Sequence, residues 1–271
     1  MIRQRIKAFV ALHPRSAVVL TWRASRKART FVLVTFDGED WIHRWRGGAL
    51  VWHEPTLEPR AITENDLPLF TFACRPGPGD IVLDIGAGAG AEIGPFSRMV
   101  GPRGRVIALE PDPVSFRRLT KLVRALGLDN VTHMQTAVGA AEGTAHLTQD
   151  GGAGATNRLD TDLGSASVAV PLTTLDALVE RLAITRVHYL KMNIEGSERA
   201  ALIGFPNHHD IVSNWCVSCH DFVGTAETTT ISFVQAWLEA AGFTVSRHPE
   251  VDGCPWMGWY VYAMSPLRQR S

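Results

Sequence analysis

From about residue 60 onward, short apolar runs alternate with amphipathic stretches of helical period. A continuous apolar run marks a strand buried on both faces. Such runs predict strands at Asp80–Ile85, Val106–Glu110, Val131–Val138, Val187–Ile194 and Trp215–Cys219, then at Phe243–Ser246 and Trp259–Met264. Apolar positions three and four apart predict helices at Ala91–Val100, Pro113–Leu126, Thr174–Leu182, Ser197–Ile203 and Ser232–Ala241. Gly242 is a stop signal for the last of these. Strands alternating with helices predict an α/β fold, a mostly parallel sheet with helices on both faces. Residues 139–172 interrupt the alternation, with a short strand near Gly143–Leu147 and a glycine-rich loop at Asp150–Gly154.

The first 60 residues follow another pattern. Thr30–Phe36 reads as a strand, Asp37-Gly38 is a turn signal, and Trp41, Trp45 and Trp52 follow, with His43 and His53 among them. Residues 1–60 are therefore expected to form a basic arm and a β-rich extension, a lid or a dimer surface. Its aromatics are expected to build a satellite core rather than a flap over a pocket. Residues 1–36 carry eight lysines and arginines and no acid. That stretch reads as a solvated arm, with weak contact to lipid head groups or an acidic partner as the alternative.

Composition narrows the field. The chain has 271 residues, 45% hydrophobic and 20% charged, enough for one large domain with appendages and too apolar for global disorder. A formal net charge of zero gives no reason to expect a nucleic-acid partner. No apolar run is long enough to span a bilayer, and an export signal would need a longer apolar centre. The cytoplasm is the expected compartment.

The strongest local signal is Val82-Leu83-Asp84-Ile85-Gly86-Ala87-Gly88-Ala89-Gly90. Glycines at every second position after a buried strand let backbone approach a ligand closely. Glu110 ends the next strand, twenty residues beyond Gly90, the spacing at which an acid meets a ribose hydroxyl. A nucleotide-type cofactor at the carboxyl ends of parallel strands follows. A carboxylate at Asp84 would repel a nicotinamide pyrophosphate, whereas it complements the cationic amino-acid end of S-adenosylmethionine.

The glycine loop is followed by Glu110-Pro111-Asp112-Pro113, Asn130-Val131, Thr136-Ala137-Val138-Gly139 and Thr174-Leu175-Asp176-Ala177-Leu178. Lys191-Met192-Asn193-Ile194-Glu195-Gly196-Ser197-Glu198 completes the series. In this order the blocks resemble the FkbM family of S-adenosylmethionine-dependent methyltransferases, well over residues 65–205 and beyond that by strand pattern. The resemblance implies a class I methyltransferase Rossmann-like fold, seven strands with the last antiparallel, over residues 61–271. It also implies methylation of oxygen on small molecules, such as sugars or polyketide-type natural products. The cofactor would be S-adenosyl-L-methionine, leaving S-adenosyl-L-homocysteine. By position, Asp84, Gly86, Gly88 and Gly90 would cradle its methionine and ribose part, and Glu110 would accept the ribose hydroxyls. Gln135, Thr136 and Ala137 would edge the adenine. Asp112 is either a cofactor contact or a helix cap. The family's lysine block usually carries aspartate where this chain has Asn193, and asparagine is neither a carboxylate base nor a strong ligand for a hard cation.

Methyl transfer to a hydroxyl needs in-line alignment and removal of one proton. The strand ends beside the cofactor carry Asn193, Glu195, His220 and Asp221. His220 is the first choice for base, because its ordinary pKa is near neutral. Glu195 is the second, with a structural role or a pairing with Lys191 as its alternative. Asn193 would orient a hydroxyl. Cys216, Cys219 and His220 match a haem-attachment spacing, but residues three apart on a strand face opposite ways, which argues against haem and against a zinc site that adds Cys254. His208 and His209 read as loop residues. No metal site is indicated, and a homodimer stays open. Two rival functions also stay open: an NAD(P)-dependent oxidoreductase, and an inactive regulatory protein that retains the pocket.

Overall fold

A computed structural model describes residues 16–148, 159–160, 167–220 and 230–266. The basic residues before Ser16, the glycine-rich loop at Asp150–Gly154 and Asp221 lie outside the described residues. Helix α1 (Ala17–Ala28) leads into a three-stranded antiparallel meander, β1 (Val32–Phe36), β2 (Trp41–Trp45) and β3 (Gly48–Trp52). Asp37 shapes the first turn, its Oδ1 accepting the N–H of Glu39 at 3.0 Å and of Asp40 at 2.8 Å.

The helix corrects the expectation of a solvated arm up to residue 36. Its inward face is Leu20 and Ala24, packed with Val32, Val34 and Trp41 in a satellite core. Thr21 and Ser25, one turn apart, lie along the free edge of β1. The N–H of Val34 donates to Thr21 Oγ1 and that of Val32 to Ser25 Oγ, both at 2.9 Å. The two hydroxyls donate back to the same residues' carbonyls. An edge strand's unpaired backbone groups are thereby satisfied by helix side chains.

Two short helices, α2 (Pro59–Glu64) and α3 (Leu67–Phe70), connect to the main sheet. Its strands are β4 (Ile81–Ile85), β5 (Arg105–Leu109), β6 (Val131–Met134), β11 (Tyr189–Met192), β12 (Asn214–Ser218), β13 (Thr244–Arg247) and β14 (Tyr260–Met264). The seven are ordered β13-β14-β12-β11-β4-β5-β6. All run parallel except β14, which is antiparallel to both neighbours. This is the class I methyltransferase topology that the resemblance implied.

Side chains alternate across the sheet with period two. Leu83, Ile85, Ile107, Leu109, Trp215 and Val217 face one core with helices α6 (Leu175–Arg181), α7 (Glu198–Ile203) and α8 (Ile231–Ala240). Val82, Val106, Ala108 and Cys216 face the other, with helices α4 (Ile93–Val100) and α5 (Pro113–Leu126). Cys219 lies in the first core and Cys216 in the second. Helix α5 keeps its expected bounds because both ends are signalled. Asp112 caps it, accepting the Ser115 N–H at 2.8 Å, Pro113 opens it, and Gly127 closes it at φ 61°.

The expected strand Val131–Val138 is two strands. β6 ends at Met134, and β7 (Ala137–Val138) joins a separate four-stranded sheet with β8 (Gly143–Thr148), β9 (Leu159–Asp160) and β10 (Ser167–Thr173), in the order β7-β10-β8-β9. Thr136 makes the step between sheets, its hydroxyl donating to the carbonyl of Pro171 at 3.2 Å. No helix among the described residues is long and apolar enough to cross a membrane.

Candidate functional site

A cavity of about 440 Å³ opens at the carboxyl ends of β4, β5 and β11. That is where open α/β sheets bind ligands, and the size suits a small molecule. Its floor is the loop from β4 into α4. Gly86 has φ 78°, and a Cβ there would sit 1.9 Å from the Asn193 carbonyl oxygen, so the β4 and β11 loops cross in contact only with glycine at this position. Gly88, at φ 56°, has nothing within 4 Å of where a Cβ would be. Its open side faces the cavity, and its N–H donates to Glu110 Oε2 at 2.7 Å. Gly90 packs under Leu119 and Leu122 of α5 and is not part of the lining.

Glu110 accepts a second N–H, from Asp112, at 2.9 Å. Burial pushes its carboxyl up to about 7, against the pull of these two N–H donors. Each oxygen keeps a lone pair for a ligand hydroxyl. Asp112 both caps α5 and lines the cavity, together with Thr136 and Ala137; Gln135 is exposed and outside the lining.

Beneath the floor, cross-strand register places Lys191 of β11 beside Asp84 of β4. Both are fully buried, with Nζ 2.9 Å from Asp84 Oδ1 and donating to the Gly86 carbonyl at 2.7 Å. Burial pulls the lysine's pKa down, but Asp84 and Glu92 outweigh it and hold the pKa above the ordinary value. Asp84, expected to meet the cofactor's cationic end, is thus tied to Lys191 under the loop, outside the lining; Lys191 lines the cavity itself. So does Glu92, just ahead of α4, where burial pushes the carboxyl up to about 7 despite nearby Lys191.

Asn193 and Glu195 follow β11 on the far wall. Asn193 Oδ1 is buried and has no hydrogen-bond partner among the described residues. Glu195 has φ 52°, a left-handed conformation rare for glutamate and found where surrounding structure enforces it. Behind it lies His220, at the end of β12. Its Nδ1 is 2.6 Å from Oε1 of the fully buried Glu198, and its Nε2 is 3.5 Å from Glu195 Oε1. Burial lowers the imidazole pKa, but the two carboxylates dominate and raise it to about 9. His220 therefore holds its proton at neutral pH; it is not part of the lining, and Glu195 stands between its Nε2 and the cavity. Glu195 does not pair with Lys191, which is committed to Asp84.

The N-terminal meander contributes the near wall through Leu50 and Trp52 of β3. The expected satellite role holds for Trp41, which is fully buried, and not for Trp52. Buried Asp40 anchors the meander on α5, 2.7 Å from Arg118 Nε and 2.8 Å from Lys121 Nζ. Arg118 also lines the cavity.

Residues 84–245 match a family model described as the methyltransferase FkbM domain. The chain belongs to the FkbM methyltransferase family. A solved methyltransferase FkbM from Methylobacillus flagellatus KT shares its fold at 16% identity, with a TM-score of 0.50 over 72% of this chain and 45% of that one. Protein-L-isoaspartate O-methyltransferases of Ignicoccus hospitalis and Methanothermobacter thermautotrophicus are 39% and 36% identical over 54 and 55 residues. The chain spans about a quarter of the length of these curated relatives, 26% and 25%.

Within this FkbM domain the cavity suits a nucleoside carrying a cation. Gly88 leaves an open approach, Glu110 puts a carboxyl group in the lining at the end of β5, and Asn193 Oδ1 is an orphan acceptor. Glu92 and Asp66 add carboxyl groups to the lining. Sequence reading had not singled out Glu92, Lys191 or Glu198, nor Trp52 and Arg118 as cavity residues. Lys191 and Glu198 lie inside the lysine block; strand register shows that Lys191 backs the floor, and the packing of helix α7 that Glu198 backs His220.

Proposed function

We propose that this chain is an S-adenosylmethionine-dependent O-methyltransferase acting on a small hydroxylated acceptor. The observation that carries the reading is Glu195, held at the cavity wall by a buried His220–Glu198 pair. S-adenosylmethionine supplies an electrophilic methyl group whose departing thioether is neutral, so the protein provides no acid. Glu110 would accept the ribose hydroxyls, with Thr136 and Ala137 along the adenine edge and the loop at Gly86–Gly88 along the chain between. Glu92 and the orphan Asn193 Oδ1 would serve the amino-acid end and the acceptor.

The proton of the acceptor hydroxyl passes to the Glu195 carboxylate as the oxygen attacks. Protonated His220 positions that carboxylate from behind, in place of acting as base itself. Positioned bases contribute roughly 10²–10⁴-fold. Asn193, in the family's aspartate position, would align the acceptor by taking a hydrogen bond from a donor beside the reacting hydroxyl, whose one proton goes to Glu195. The short likeness to two O-methyltransferases is consistent with an oxygen acceptor.

The test is product formation from S-adenosylmethionine across sugars, polyketide alcohols and matched amines. Turnover of hydroxyls that falls about 10²-fold or more in Glu195→Gln, with S-adenosylhomocysteine binding retained, supports the reading. Turnover confined to amines, or a fully active Glu195→Gln, refutes it.

A further inference from the structure

We propose that the outer face of α1 is a docking surface for an anionic lipid bilayer. The helix spends its inner face entirely on its own fold, with Leu20 and Ala24 in the satellite core and Thr21 and Ser25 on the β1 edge. What remains outward is not the usual polar face. Val18 is 77% exposed, Trp22 61% and Val19 57%. Large apolar groups left in water in one contiguous set mark a contact surface.

Their neighbours are cationic. Val18, Trp22 and Arg26 lie one turn apart on one stripe, with the Arg26 guanidinium 5.6 Å from the Trp22 ring centroid. Val19, Arg23 and Lys27 form the adjacent stripe, with Lys27 already paired to Glu58, its Nζ 2.8 Å from Oε2. Trp22, Arg23, Arg26 and Lys27 line a shallow groove closed by Leu57. No acidic residue occurs anywhere in residues 1–36. Tryptophan at the headgroup level, aliphatics below it and arginines beside phosphates are what an interfacial helix presents.

Charge chooses between occupants. A second copy related by two-fold symmetry would set Arg23 and Arg26 against themselves. Nucleic acid would leave Val18 and Val19 unused. An anionic bilayer satisfies both the apolar and the cationic positions.

The experiment is co-sedimentation of the full chain with vesicles of phosphatidylcholine alone and of phosphatidylcholine with phosphatidylglycerol. Partitioning is expected onto the anionic vesicles only, weakening with salt as screening shortens. Trp22→Glu and the double variant Arg23→Glu, Arg26→Glu should each lower it by about tenfold or more, with unfolding midpoint and S-adenosylhomocysteine binding unchanged. Wild-type protein that ignores anionic vesicles overturns the proposal. So does partitioning that survives both variants, or equally strong duplex DNA binding that the same variants abolish.

Discussion

Asp40 should be the anchor of the cavity's near wall, and Asp40→Asn removes its charge with little change of shape. The carboxylate is fully buried between Arg118, itself only 8% exposed, and Lys121. The two cations are not equivalent. Lys121 also reaches Asp37 at 2.7 Å and Glu39 at 3.1 Å and is partly solvated, so losing Asp40 leaves it paired. The Arg118 ion pair at Nε is with Asp40 alone among the described residues. Stripping one partner from a buried pair costs about 3–5 kcal/mol, and a half-exposed one about 1 kcal/mol or less. Asp40→Asn is therefore expected to lose about 3 kcal/mol and Lys121→Met about 1 kcal/mol or less. Urea unfolding followed by tryptophan fluorescence reads the difference. Replacing both partners, as Asp40→Leu with Arg118→Met, should recover most of the loss, because the cost lies in the orphaned cation. Equal effects of Asp40→Asn and Lys121→Met, or no recovery in the double variant, would refute the reasoning. The pH dependence has a definite sign. Burial raises the Asp40 pKa, but hydrogen bonds from Lys121 and Arg118 bring it below 3.8. Its contribution is complete above that value and is lost as pH falls through the lower folded pKa.

Gly86→Ala drives a Cβ into the Asn193 carbonyl at a positive φ. It should cost about 2–4 kcal/mol in thermal or urea unfolding, where Gly88→Ala, with open space, costs less. His220 carries a folded pKa of about 9, raised from 6.5, so its stabilisation is complete below pH 6.5 and disappears as pH rises through about 9. An NMR titration of its ring should show the imidazolium persisting above pH 8, and Glu198→Gln should move the midpoint down; a midpoint near 6.5 in the parent protein contradicts the buried pairing. Lys191→Met leaves Asp84 buried without its cation and should destabilise by about 3–5 kcal/mol in the same unfolding assay.

The central strands and α5 were readable because those strands are short, largely apolar segments set between stretches of helical period, and α5 has a cap, an opening proline and a closing glycine. Helix α1 was not, because apart from Leu20 its inward residues are small or hydroxylated: Thr21 and Ser25 are inward for backbone pairing, a role no hydrophobic period reports. The split of Val131–Val138 was equally invisible, since no glycine or proline marks the break and periodicity does not say which sheet a strand joins. At the site, Gly86, Gly88 and Glu110 were legible from local spacing. The partner of Asp84 depends on register between β4 and β11, and that of His220 on how helix α7 packs beside the end of β12, neither of which local spacing reports.

The most direct measurement is calorimetric titration of the purified chain with S-adenosylhomocysteine, with NADH as control and Glu110→Ala alongside. Micromolar-scale binding of S-adenosylhomocysteine, none of NADH, and a loss of about tenfold or more in Glu110→Ala is the predicted result, since a hydrogen bond to a charged group contributes about 1.5–3 kcal/mol. Folded protein that binds no S-adenosylhomocysteine, or binds NADH in its place, would contradict the assignment of the cavity.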